Sequence, residues 1–149
     1  MGGVAMAIQK DEVISLMNAF HDVSMLQKGT AEEQAAFFLN PGEARVFVPH
    51  GEDISLQTNY EIHQKLTDEV HVVLDPLDVT QLSAAPERAR AVGAVYWEGR
   101  VVDAPDALIK VIVGEDWIVQ RDPSHGLKIV LYLNAYHYFL PDSALLDLN

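Results

Sequence analysis

The chain of 149 residues contains no cysteine, which excludes disulfides, thiolate metal ligands and a cysteine nucleophile together. Positive charge is scarce too: ten Lys and Arg stand against twenty-two Asp and Glu, a formal net charge of −12. Because the acids are spread along the chain, phosphate backbones and anionic lipid surfaces are repelled, and nucleic acid is not an expected partner. No run approaches the ~20 apolar residues of a membrane span, so no membrane partner is expected. Met1–Ile8 is apolar but lacks a basic leader and a run of signal-peptide length, and Met6 stands where a myristoylation motif needs Ser or Thr. A cytoplasmic location is therefore expected, in keeping with the missing cysteine. Glycine-rich phosphate loops, a serine elbow and paired carboxylates are absent, and the six histidines are scattered without metal-ligand spacing. Neither a metal nor a cofactor is expected.

What is present is a globular composition, 49% apolar and 21% charged, in one domain-sized chain without linker or repeat. Asp11 is a plausible N-cap for a helix to about Lys28, with Val13, Leu16, Met17 and Phe20 on one face and Gly29 ending it. Thr30 and Glu33 form a capping box for a short helix through Leu39, stopped by Asn40-Pro41-Gly42. Ala44–Val48 reads as a short strand and Pro49–Asp53 as a loop. Thr58 and Glu61 repeat the capping box ahead of Ile62 and Leu66. Four long strands follow: Val70–Leu82, Arg88–Val102, Ala107–Gln120 and Leu127–Phe139. Helices first and strands afterwards predict an α+β fold, three helices packed on a strongly curved, mainly antiparallel sheet with a pocket at the mouth of the cone.

The last strand sorts its side chains by alternation. One register carries Leu127, Ile129, Leu131, Leu133 and Ala135, and the other Tyr132, Asn134, Tyr136 and Tyr138. The phenol-and-amide face suits a small-molecule ligand, and strict alternation places Tyr132, Asn134 and Tyr136 on one cavity with Leu16, Met17 and Phe20 of the first helix; the alternative is that these three are half-buried sheet residues, for which Tyr is intrinsically favoured. The aliphatic register, with Ile129, Leu131 and Leu133 outward, would expose a large apolar face on a monomer, so a homodimer packed through the sheets is expected.

Among titratable groups, Asp116 sits in Glu115-Asp-Trp117 within an apolar strand. Buried there, its carboxyl would act as acid or base; at a bulge or strand end it would be solvated. His21 and His63 could reach the cone mouth, or serve as a helix-terminal cation and a flanking surface residue. His137 falls on the aliphatic register and reads as a core or interface residue.

The order of elements, with Ala44-Arg-Val-Phe-Val-Pro49 after the second helix and the hairpin Trp117-Ile-Val…Gly126-Leu-Lys-Ile-Val130, resembles the nuclear transport factor two-like superfamily over roughly Asp11–Phe139. That superfamily includes ketosteroid isomerase, scytalone dehydratase and small polyketide cyclases. The resemblance implies a cone-shaped domain that is a cofactor-free isomerase, dehydratase or cyclase, or else a binding or assembly module, since this fold hosts all of them. The isomerase's general base would fall at Val48, whose side chain cannot abstract a proton. Its oxyanion-hole acid would fall near Asp116 or Trp117, and the pocket register of its last strand at Tyr132, Asn134 and Tyr136. Asp116 is accordingly the expected catalytic residue.

Overall fold

A computed structural model describes residues 7–145; the reading of Met1–Met6 lies outside them. Among the described residues there are three α-helices, α1 (Lys10–Ser24), α2 (Ala31–Ala35) and α3 (Leu56–His63). Seven strands accompany them: β1 (Arg45–Val48), β2 (Glu52–Ser55), β3 (Leu66–Val73), β4 (Asp78–Ala84), β5 (Glu87–Val101), β6 (Ala104–Asp122) and β7 (Gly126–Phe139). The sheet runs β2-β1-β7-β6-β5-β3, with β4 also on β5. Among the described residues the named strands all pair antiparallel except β1 with β7. The architecture is the α+β arrangement of helices on a curved sheet.

The element ends depart from the sequence reading for identifiable reasons. Helix α1 begins one residue before Asp11, where the Gln9 N–H donates to Glu12 at 2.8 Å. It stops at Ser24, which is fully buried and turns its hydroxyl to the Phe20 carbonyl and to Gln34. Thr30 caps α2 by accepting from the Glu33 N–H, yet the helix ends at Ala35. The following backbone is taken by the sheet: Leu39 N–H donates to the Ile129 carbonyl and Ile129 N–H to that of Phe37. A ladder contact there replaces the last helical turn. Ser55 rather than Thr58 caps α3, so Leu66 opens β3 instead of closing a helix. Glu52–Ser55, read as loop, pairs with β1. The long strand read over Val70–Leu82 is two strands parted by Asp75-Pro76, where proline has no N–H for a ladder.

Two β-bulges in β7 decide which side chains face inward. Val119 pairs with Ile129 and Ile118 with Leu131, leaving Val130 unmatched; Glu115 pairs with Asn134 and Gly114 with Tyr136, leaving Ala135 unmatched. Each extra residue flips the alternation. Ile129, expected outward, is therefore fully buried. Tyr132, Asn134, His137 and Phe139 face the concave side, while Leu131, Leu133, Tyr136 and Tyr138 pair along the convex one.

The core lies between this concave face and α1. Val13, Met17 and Phe20 pack with Trp117, Val119, Ile129 and Tyr132, and the Phe20 ring meets those of Phe38, Trp117 and Tyr132 edge to face. At ~25 cal/mol per Å² of apolar area, such side chains each contribute roughly 1.5–3 kcal/mol by leaving water. This packing fixes which face of α1 meets the sheet, and the residue after Phe20 falls at the open end.

Candidate active site

The open end encloses a cavity of about 200 Å³. Its wall is largely aliphatic, with Val46, Val48, Ile54, Ile62, Val95, Val111 and Val113. Val48 thus brings a hydrocarbon surface to the cavity. The polar groups are gathered in two places.

The first group joins three elements. His21 comes from α1, His71 from β3 and Glu115 from β6, and one ligand-type atom of each lies within 4.8 Å of the others. The Glu115 Oε1 is 3.8 Å from His21 Nε2 and 4.0 Å from His71 Nε2, too far for hydrogen bonds. Both His71 nitrogens and Glu115 Oε1 are buried without partners. The imidazoles of His21 and His71 stack with centroids 3.6 Å apart. Burial, and then the neighbouring His71, lower the His21 pKa to about 4, so this ring is neutral at pH 7. Burial pushes the Glu115 carboxyl up, but the polar ring nitrogens of His21 and His71 close beside it, and the charge of those rings once they are protonated, outweigh burial and hold it below the usual carboxylate range. The group is then an ionised carboxylate under a pair of stacked rings.

Tyr132 and Asn134 complete this end. The Tyr132 hydroxyl is 3.5 Å from His21 Nε2, and burial followed by the Glu115 charge raises its pKa well above the ordinary value. It stays protonated, and so remains a donor. The Asn134 Oδ1 is buried and unpartnered.

The second group lies around His63, the last residue of α3, whose Nδ1 is 2.7 Å from Glu69 Oε1. The Trp97 indole N–H donates to the same oxygen at 2.9 Å.

Several residues singled out from sequence lie elsewhere. Asp116 turns to the convex face, where it holds Arg90 through two bonds of 3.0 and 2.6 Å. Its neighbour Glu115 shares the inward register of Trp117 and is the buried acid. Tyr136 is also on the convex face, 49% exposed, because the Ala135 bulge inverts its direction. Leu16, Met17 and Phe20 are in the hydrophobic core rather than on the cavity wall. His21 and His137 line the cavity instead. His71 was missed because no local spacing links it to His21 or Glu115; the signal was its place on the inward register of β3.

No family model matches the sequence, and no curated protein matches it. Solved structures do. A ketosteroid isomerase-like protein from Erwinia carotovora atroseptica aligns with a TM-score of 0.58 at 11% identity, over 88% of this chain and 92% of the other. A hexachlorocyclohexane dehydrochlorinase from Novosphingobium barchaimii aligns at 0.55 and 14%, over 93% and 99%. A nuclear transport factor two-like protein with a cystatin-like fold, from Novosphingobium aromaticivorans, aligns at 0.52 and 16%, over 91% and 84%. The chain has the nuclear transport factor two-like, cystatin-like fold.

Proposed function

We propose that this protein catalyses a cofactor-free proton transfer on a small, largely apolar molecule, with His71 as the base. The supporting observation is the buried group of His21, His71 and Glu115 in an aliphatic cavity, with both His71 nitrogens unpartnered. A base needs a free lone pair within reach of the substrate, and a buried polar atom with no protein partner is costly unless a ligand or water meets it. The proton moves from a carbon beside the substrate carbonyl to an imidazole nitrogen of His71. Glu115 stabilises the imidazolium that forms, and the hydroxyl of Tyr132 donates to the oxygen on which charge develops. Asn134 offers a further amide there. Isomerisation, dehydration and cyclisation all can begin with this step. That one structural neighbour is a dehydrochlorinase and another isomerase-like agrees with such chemistry on this fold.

The same three donors have the composition of a two-histidine, one-carboxylate metal site, and a metal reading must meet their geometry. Imidazole lone pairs lie in the ring planes, and the two rings stack at 3.6 Å with a 30° tilt. Rings packed face to face this closely are poorly disposed to direct in-plane lone pairs at one ion ~2.0–2.1 Å from each nitrogen, which favours proton chemistry.

A substrate-independent test is the ring opening of 5-nitrobenzisoxazole, which needs only a base to remove its carbon-bound proton. The wild-type protein is expected to accelerate it, and His71→Gln to lose about a hundredfold or more. Asp116→Asn, on the convex face, should retain the wild-type rate. If the wild type and His71→Gln are equally slow, the cavity is a binding site without a base.

A further inference from the structure

Resting on that reading, we propose that His63 and Glu69 form a second proton-transfer pair, acting as the acid that complements His71. The pocket would then expel water from a small β-hydroxy carbonyl compound rather than exchange a single proton.

The pair is built by two local features. Ser55 caps α3 and so sets where His63 ends it. On β3 the register slips between Thr67 and Val70, with Asp68 in the left-handed region at φ 53°, and this bulge turns Glu69 inward beside Gly99. A Cβ on Gly99 would stand 2.7 Å from the Trp97 ring and 3.4 Å from Glu69 Cγ. The missing side chain is the space that Trp97 and Glu69 occupy.

Glu69's side chain is 2% exposed. Its Oε1 takes both His63 Nδ1 and the Trp97 N–H, while Oε2 is buried with no partner. An ion pair serving only stability would have little reason to leave one carboxylate oxygen unsatisfied in the interior. A carboxylate can only accept, so the His63 proton facing it sits on Nδ1, and the ring nitrogen left for a ligand is Nε2. His63 lines the same cavity as His71.

The two ends divide the labour by their partners and by access to water. At the first, two stacked imidazoles share one carboxylate that neither touches. At the second, one imidazole meets one carboxylate, so an imidazolium is matched charge for charge. The His63 side chain is 16% exposed against 4% for His71, so it is the ring that bulk water can reload with a proton.

The step balances without a co-reactant. An imidazole nitrogen of His71 takes the proton from the carbon beside the carbonyl. The electron pair of that C–H bond becomes the new C=C bond. The C–O bond of the β-hydroxyl breaks with its electrons on oxygen, and Nε2–H of His63 supplies the proton that makes water the leaving group. His71 ends as imidazolium and His63 neutral, and exchange with solvent restores both.

Two probes separate the acid from the base. Opening of 5-nitrobenzisoxazole needs a base alone, whereas dehydration of 4-hydroxy-4-phenylbutan-2-one needs a base and an acid. The ratio of the second rate to the first is expected to fall about a hundredfold in His63→Gln. Glu69→Gln, which keeps the hydrogen-bonding atoms but not the charge, should lower the same ratio. In His71→Gln both rates should collapse together. An unchanged ratio in both His63→Gln and Glu69→Gln overturns the acid role. So does a wild-type protein that opens the benzisoxazole but never dehydrates the hydroxyketone, and then the His71 reading stands alone. Inactivity of the wild type toward both probes removes the base and this proposal with it.

Discussion

His21 ties the chemistry of the cavity to the stability of the fold. Its folded pKa of about 4 lies below the ordinary histidine value of 6.5, so between those values the unfolded chain binds a proton that the folded protein does not. Stability then rises with pH across that window and is lost as pH falls from 6.5 towards 4. The linked change is about 3 kcal/mol. Glu115 adds to the loss lower down, because its depressed pKa contributes stability that is present above the unfolded value and lost as pH falls through the folded one. Urea midpoints at pH 7 and pH 4.5 should differ clearly for the wild type and much less for His21→Gln. A wild-type midpoint that does not move between these pH values would mean that His21 is not buried neutral.

At the scale of elements, bulges and glycines set the direction of the working side chains. Two glycines each leave room for an aromatic ring, with different consequences. At Gly114 an added Cβ would overlap the Tyr136 ring, but that residue is half-exposed on the convex face and its ring can swing into solvent. Gly114→Ala should therefore cost less than about 1 kcal/mol. At Gly99 the ring met is that of Trp97, bonded to the buried Glu69, and moving it breaks that bond and fills the cavity. Gly99→Ala should cost roughly 1–3 kcal/mol and shift the tryptophan fluorescence. Thermal unfolding of the two variants compares them directly. Equal losses would show that the inner glycine has no special steric role.

For the whole molecule, the convex face of β5, β6 and β7 is the surface in question. Leu131 and Leu133 pair there with Ile118 and Asp116, and Tyr136 and Tyr138 with Gly114 and Ile112. Tyr136 and Tyr138 are 49% and 57% exposed. This row of apolar and aromatic side chains motivates a proposed two-fold homodimer packed through the sheets, now without Ile129, which lies in the core. Light scattering at micromolar concentration is expected to give twice the mass of the chain, and Leu131→Glu with Leu133→Glu to give monomers. A wild-type monomer would refute the association. Among the described residues no helix is long and apolar enough to cross a membrane.

The order of elements and the fold class were legible in the chain, because hydrophobic periodicity, capping residues and turn residues act over a few positions. The same holds for Tyr132 and Asn134, whose polar character in an apolar strand marks them locally. Alternation in β6 also carried Glu115 on the register of Trp117, Val113 and Val111, although its neighbour Asp116 drew the functional assignment. Only the tertiary structure decided the rest. Bulges at Val130 and Ala135 are defined by the partner strand, so the inward turn of Ile129 and the outward turn of Tyr136 cannot be read from β7 alone. His21, His71 and Glu115 meet because a helix and two strands distant in sequence converge on one cavity, and His63 reaches Glu69 because a bulge on β3 faces a glycine on β5. Local sequence carries periodicity; which side chains share a cavity depends on the closure of the whole sheet around α1 and α3.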